Sequence, residues 1–148
     1  MTDFDEFTAR YNRYRSALSQ ASETNKATVL DALAAAGITT VTVPFDGEGD
    51  SGQLGDLCAQ AQDTTVEIPA IEITIHEVAW NTDAIATTDA TLHEALEALC
   101  YSYLGHEHDG WENNDGAYGE FVFDVVNRTV TLDFYARFVD STNFTYQF

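Results

Sequence analysis

Glu120-Phe-Val-Phe-Asp-Val-Val126, Asn127-Arg128 and Thr129-Val-Thr-Leu-Asp-Phe-Tyr-Ala-Arg-Phe138 form the stretch that decides the fold. Two runs of branched and aromatic residues flank a two-residue polar link, which is the pattern of a β-hairpin. Asn143–Phe148 repeats the strand composition at the end of the chain. The same period of two occurs upstream, where Val41, Val43 and Phe45 alternate with Thr40 and Thr42. A further strand is expected within Thr65–Ala79, with Ile71, Ile73 and Ile75 on one face and Glu72, Thr74 and His76 on the other. Pro69 has no N–H for a ladder, so it marks an edge or a bulge. Gln53–Cys58 fits a short strand and a helical turn equally well.

Helical periodicity occupies much of the rest. From Asp3 to about Ala21, the residues Phe4, Phe7, Tyr11, Tyr14 and Leu18 recur at steps of three and four, with Thr2 or Asp3 as a cap. That spacing predicts burial of the aromatic stripe. Ser22-Glu-Thr-Asn25 interrupts the pattern, and a second helix is expected from about Lys26 to Ala36, stopping at Gly37. A third, capped by Thr88 or Asp89, covers roughly Ala90–Leu104 and buries Leu92, Ala95, Leu96, Leu99 and Tyr103 before Gly105 ends it. The order implies an α+β fold, with two N-terminal helices and one central helix packed on an antiparallel sheet, as a single domain over residues 1–148.

The 148 residues are 45% hydrophobic and 12% aromatic, enough to fill one core and unlike a disordered acidic tail. Against 25 acidic residues stand only 6 lysines and arginines, a net charge of -19. Such a chain is repelled by DNA, RNA and anionic membrane, so no direct contact with nucleic acid or membrane is expected. No apolar run is long enough to span a bilayer. The acidic start Met-Thr-Asp-Phe-Asp-Glu is unlike a signal peptide, and the two cysteines, Cys58 and Cys100, are too few for a disulfide scaffold. These features predict a cytoplasmic protein.

The charge is unevenly placed. Residues 37–127 hold 18 acidic residues and not one lysine or arginine, whereas both ends of the chain are nearly balanced. Self-repulsion in such a segment opposes compaction, and a few interspersed lysines would relieve it. A partner with a large basic surface accounts for the pattern. Adaptation to a salty environment is the competing account, although that should acidify the first helix as well.

Four clusters are candidates for chemistry. Asp46-Gly-Glu-Gly-Asp-Ser-Gly-Gln53 contains the letters Gly49-Asp50-Ser51-Gly52 of a trypsin-like nucleophile, but no histidine precedes Ser51, so acyl transfer is not expected. An EF-hand beginning at Asp46 would need glycine at Ser51 and glutamate at Leu57, and it fails too. His106 and His108, with Cys100 or His93, do not match a zinc-ligand spacing, and a solvated helix end explains them. The fourth is Gly110-Trp-Glu-Asn-Asn-Asp-Gly-Ala-Tyr-Gly-Glu120, where Trp111 and Tyr118 stand among acids and amides between glycines. Aromatic and acidic groups on a loop are what recognition surfaces use.

At these two glycine-rich segments, Phe45-Asp-Gly-Glu-Gly-Asp-Ser-Gly-Gln53 and Gly110–Phe121, the sequence resembles an uncharacterised bacterial family associated with plasmid and phage genes. The flanking Phe123-Asp-Val-Val-Asn-Arg-Thr-Val130 also fits, so the resemblance covers most of residues 29–148. It implies a mobile-element setting and brings no activity with it.

The reading that follows is a non-enzymatic acidic protein that mimics nucleic acid. It would occupy the basic groove of a nucleic-acid enzyme, as an anti-CRISPR or anti-restriction inhibitor does. Asp46, Glu48, Asp50, Glu112, Asp115 and Glu120, with Trp111 and Tyr118, are the expected partner-binding residues. No catalytic residue, metal or cofactor is expected. The alternative is a small metal-dependent enzyme or ligand binder whose carboxylates, Asp50 and Asp115 among them, converge where the two Gly/Asp loops meet.

Overall fold

The computed structural model describes residues 3–48, 51–80, 82–107, 116–136 and 142–148. It is α+β, and all of its strand pairs are antiparallel. The chain divides into two compact units, Met1–Val29 with Ala70–Leu99 and Leu30–Pro69 with Cys100–Phe148. The division falls within both helices, α1 (Asp3–Ala35) and α2 (Leu92–Glu107).

In the first unit, the N-terminal part of α1 is joined by the hairpin of β5 (Glu72–Val78) and β6 (Ile85–Thr91) and by the start of α2. Ala17, Ala21, Val29, Ile75, Leu92, Ala95, Leu96 and Leu99 are buried here. Asn25 fixes the hairpin to the helix: its Nδ2 donates to the His76 carbonyl (2.9 Å) and its Oδ1 accepts the His76 N–H (2.7 Å).

The two expected N-terminal helices are one. Ser22–Asn25 contains neither glycine nor proline, and serine, threonine and asparagine disfavour a helix by only a few tenths of a kcal/mol each. Thr28 Oγ1 donates to the Thr24 carbonyl (3.0 Å), and Asn25 spends its amide on β5 instead of capping a new helix. The expected burial of the aromatic stripe also fails, since Phe7, Tyr11 and Leu18 are exposed. Nor do the three isoleucines of the β5 region share a buried face. Ile75 alone is buried, while Ile71 is exposed and precedes the strand.

The start of α2 lies later than expected. Thr88 and Asp89 belong to β6, a strand whose composition, Ile-Ala-Thr-Thr-Asp-Ala-Thr, carries little hydrophobic signal. Thr91 is the cap instead: its Oγ1 accepts the Glu94 N–H (3.1 Å) while Glu94 Oε1 accepts the Thr91 N–H (3.3 Å), a reciprocal capping box. The five residues expected on the buried face are all buried. Gly105 does not stop the helix, which runs on through Glu107.

The second unit holds a seven-stranded sheet in the order β4-β3-β1-β7-β8-β9, with β2 also pairing β1. Its strands are β1 (Thr40–Glu48), β2 (Ser51–Leu54), β3 (Cys58–Ala61), β4 (Thr64–Val66), β7 (Ala117–Asp124), β8 (Thr129–Ala136) and β9 (Thr142–Gln147). The expected hairpin at Asn127-Arg128 is present, with Arg128 at φ 56° in the turn. Of the expected Asp46–Gly52 loop, residues 46–48 instead continue β1 and residues 51–52 begin β2, which pairs with it, while residues 49 and 50 lie outside the described residues.

Alternation sorts the sheet into two faces. Val41, Val43, Phe45, Ala117, Phe121, Phe123, Val130, Leu132 and Phe134 form the buried face. Tyr103 of α2 packs on it, 6.1 Å from the Phe121 ring and stacked 4.4 Å from Phe148. Arg128 pairs with Asp31 of α1 (2.9 Å) at the hairpin turn.

Candidate functional site

The opposite face of the sheet is polar and at least partly exposed. The register lays it out in rows across β1, β7, β8 and β9: Asp46, Tyr118, Tyr135, Asn143 in one, and Pro44, Glu120, Asp133, Thr145 in the next. A third row holds Thr42, Val122, Thr131 and Gln147, and Asp124 sits beyond it opposite Thr129. Asp46, Tyr118 and Glu120 are exposed, and Asp133 and Tyr135 are half-buried. Among the described residues, no strand of the sheet contains a lysine or arginine.

Two features of this face go against simple stability. Glu120 and Asp133 stand directly opposite each other, and like charges so placed destabilise a sheet. Thr145 offers some relief, its Oγ1 donating to Asp133 Oδ1 (2.7 Å). Beside them, Tyr118 and Tyr135 stack with ring centroids 5.1 Å apart and planes 11° from parallel, on the wet side of the sheet. At the end of the face, Asp124 accepts the Asn127 side-chain amide (2.8 Å) and backbone N–H (3.1 Å). These bonds, the side-chain one foremost, hold its carboxyl below the ordinary aspartate value.

The two glycine-rich segments meet at their described ends. The β1–β7 ladder sets Asp46 against Tyr118, Phe45 against Gly119 and Gly47 against Ala117. A groove of about 300 Å³ opens there, lined among others by Pro44, Asp46, Gln53, Leu54, Tyr118 and Gly119. Its walls are braced by the Gly55 N–H on the Pro44 carbonyl (2.7 Å) and by the Leu54 N–H on Tyr101 Oη (3.2 Å). Gly119 is required at this point, because a Cβ there would lie on the Asp133 carbonyl and 2.9 Å from Phe45 Cζ.

Of the residues expected to bind a partner, Asp46, Tyr118 and Glu120 are thus brought onto one face. Glu48 ends β1 opposite Ser51, and its side chain is outside the described set. Asp50, Trp111, Glu112 and Asp115 lie outside the described residues. Asp133 and Tyr135 complete the face and were not anticipated. Their signal was present in the alternation of Thr129–Phe138, where both fall on the polar parity of the strand.

Of the zinc candidates, Cys100 is buried and His93 Nε2 lies 3.4 Å from Glu97 Oε1, while the His106 side chain and His108 are outside the described residues. No group of three or more metal-ligating side chains occurs among the described residues. No described helix is long and apolar enough to cross a membrane.

Comparison with known proteins found no match among curated proteins or solved structures. A family model does match, over residues 21–148, which takes in every strand and the whole of α2. The chain therefore belongs to DUF6878, a family of unknown function.

Proposed function

We propose that this chain is a non-enzymatic acidic binding protein that presents its open sheet face to the basic, nucleic-acid-binding groove of a partner protein. The observation that carries the reading is the face itself: Asp46, Glu120 and Asp133 on three neighbouring strands, beside a stacked tyrosine pair, without a lysine or arginine on any described strand of the sheet. Glu120 and Asp133 are direct cross-strand neighbours, on strands about 4.8 Å apart, a spacing of the same order as the charges along one DNA strand, about one per 3.4 Å of axis. The stacked tyrosines supply a flat aromatic platform of the kind that interfaces favour. A like-charge pair kept directly opposite, at a cost in stability, fits a surface shaped for a partner. Association would be steered by charge and weakened by salt.

A cytoplasmic, mobile-element role against a host nucleic-acid enzyme, as an anti-restriction or anti-CRISPR protein, is the biological form of this proposal. The test is affinity capture from a bacterial lysate, using the wild-type chain and the variant Asp46→Asn/Glu120→Gln/Asp133→Asn, each eluted with duplex DNA. Capture of a nucleic-acid enzyme by the wild type alone, released by DNA, supports the reading. Equal capture by both, or capture indifferent to DNA, overturns it.

The second reading, a carboxylate site for a metal or small ligand, is favoured by one observation: Asp46 lines the groove where the two glycine-rich segments pair. Calorimetric titration with magnesium, calcium and zinc separates the two. Saturable binding lost in Asp46→Asn selects the ligand site.

A further inference from the structure

The first five turns of α1 lie outside the family match, which begins at residue 21. They also carry the exposed aromatic stripe. Phe7 is 58% exposed and stacks on Tyr11 (6.4 Å, 3° between planes), which is itself exposed, as is Leu18. Tyr14 meets the edge of Trp80 at 5.2 Å, and Trp80 is 77% exposed. An aromatic surface so open on a monomer marks an interaction site. Phe7, Tyr11 and Tyr14 follow the alternating four- and three-residue steps of a coiled-coil seam.

Charge identifies the occupant. The whole chain carries -19, so two copies repel over most of their surfaces. Residues 1–20 are balanced, as is the C-terminal end, and they hold half of all the lysines and arginines: Asp3, Asp5 and Glu6 stand against Arg10, Arg13 and Arg15. The acids come first and the arginines follow, so the segment is complementary to itself when reversed. We infer that the exposed N-terminal part of α1 is the contact between two copies of this chain, paired antiparallel about a two-fold axis near Ala9. In that register Phe7 stands opposite Tyr11 of the second copy, and the turn bearing Asp5 and Glu6 lies alongside the turn bearing Arg13 and Arg15. The contact is isologous, as a two-fold demands. A parallel pair would instead set Arg10 beside the second copy's Arg15. The Arg13–Asp83 contact (3.9 Å, both exposed) is too weak and solvated to oppose the exchange. The inference concerns residues of the first unit and is independent of the sheet-face reading.

Sedimentation equilibrium on the full chain over a concentration series tests it. The expected result is a monomer of 16.3 kDa giving way to a dimer of twice that mass. Phe7→Asp/Tyr11→Asp should raise the concentration needed for dimerisation by at least about tenfold while leaving the far-UV spectrum unchanged. A wild type that stays monomeric throughout, or a variant that dimerises equally well, overturns the inference. Orientation is read in a Cys58→Ser background, which leaves only the buried Cys100. Chains with Phe7→Cys and Tyr11→Cys, mixed and oxidised, should cross-link to each other. Predominant self-linking of Phe7→Cys chains overturns the antiparallel pairing.

Discussion

Asn25, Gly119 and Asp124 each do work that their residue type alone does not announce. The Asn25 amide makes two hydrogen bonds to the backbone of His76, joining residues 51 apart in the chain. Asn25→Ala leaves both His76 groups without that partner and should lower unfolding free energy by about 1–3 kcal/mol in urea titration. At Gly119 the constraint is steric, since a methyl group there meets the Asp133 carbonyl and the Phe45 ring. Gly119→Ala is expected to cost more than about 2 kcal/mol, because β7 cannot shift without breaking its ladder with β8. The bonds to Asn127, its side-chain amide foremost, hold the folded-state pKa of Asp124 below the ordinary aspartate value. Its contribution to stability is therefore present above the unfolded value and is lost as pH falls through the lower folded value. Asp124→Asn should flatten the acid limb of a stability–pH profile in that window, and an unchanged limb would count against the assignment.

Among the elements, α2 shows how a start signal is overridden. Thr88, Asp89 and Thr91 are all good caps by composition, and pairing of Ile85–Thr91 with β5 withdraws the first two. The Leu92 N–H is taken by the Ile71 carbonyl (2.9 Å), so the strand and the helix share one continuous hydrogen-bonded path. Thr91→Ala should cost about 1 kcal/mol in thermal unfolding, with Thr91→Ser recovering most of it. If alanine were neutral, the capping box would not be what anchors the helix.

For the whole molecule the governing quantity is charge. A net -19 destabilises the folded state at low ionic strength, and salt with a screening length of about 10 Å at 0.1 M relieves it. The urea midpoint should accordingly rise as sodium chloride is added. Glu120→Gln removes one half of the Glu120–Asp133 opposition and should stabilise the chain by up to about 1 kcal/mol at low salt while weakening capture of a basic partner. Opposite effects on stability and binding from one substitution would separate a functional carboxylate from a merely solubilising one.

The sequence by itself determined the α+β class, the antiparallel hairpin at Asn127-Arg128, the buried face of α2 and the lysine- and arginine-free acidic middle. These are local matters of periodicity, turn chemistry and composition, and they need no knowledge of what lies across the fold. Tertiary structure decided the rest. It carried one helix through Ser22–Asn25, because β5 offered Asn25 a better partner than a cap position. It left Phe7 and Tyr11 in water, because helical spacing specifies a common face but cannot supply anything to cover it. And it gathered Asp46, Glu120 and Asp133 onto one surface, because strand register, which depends on pairing between distant segments, alone fixes which side chains become neighbours.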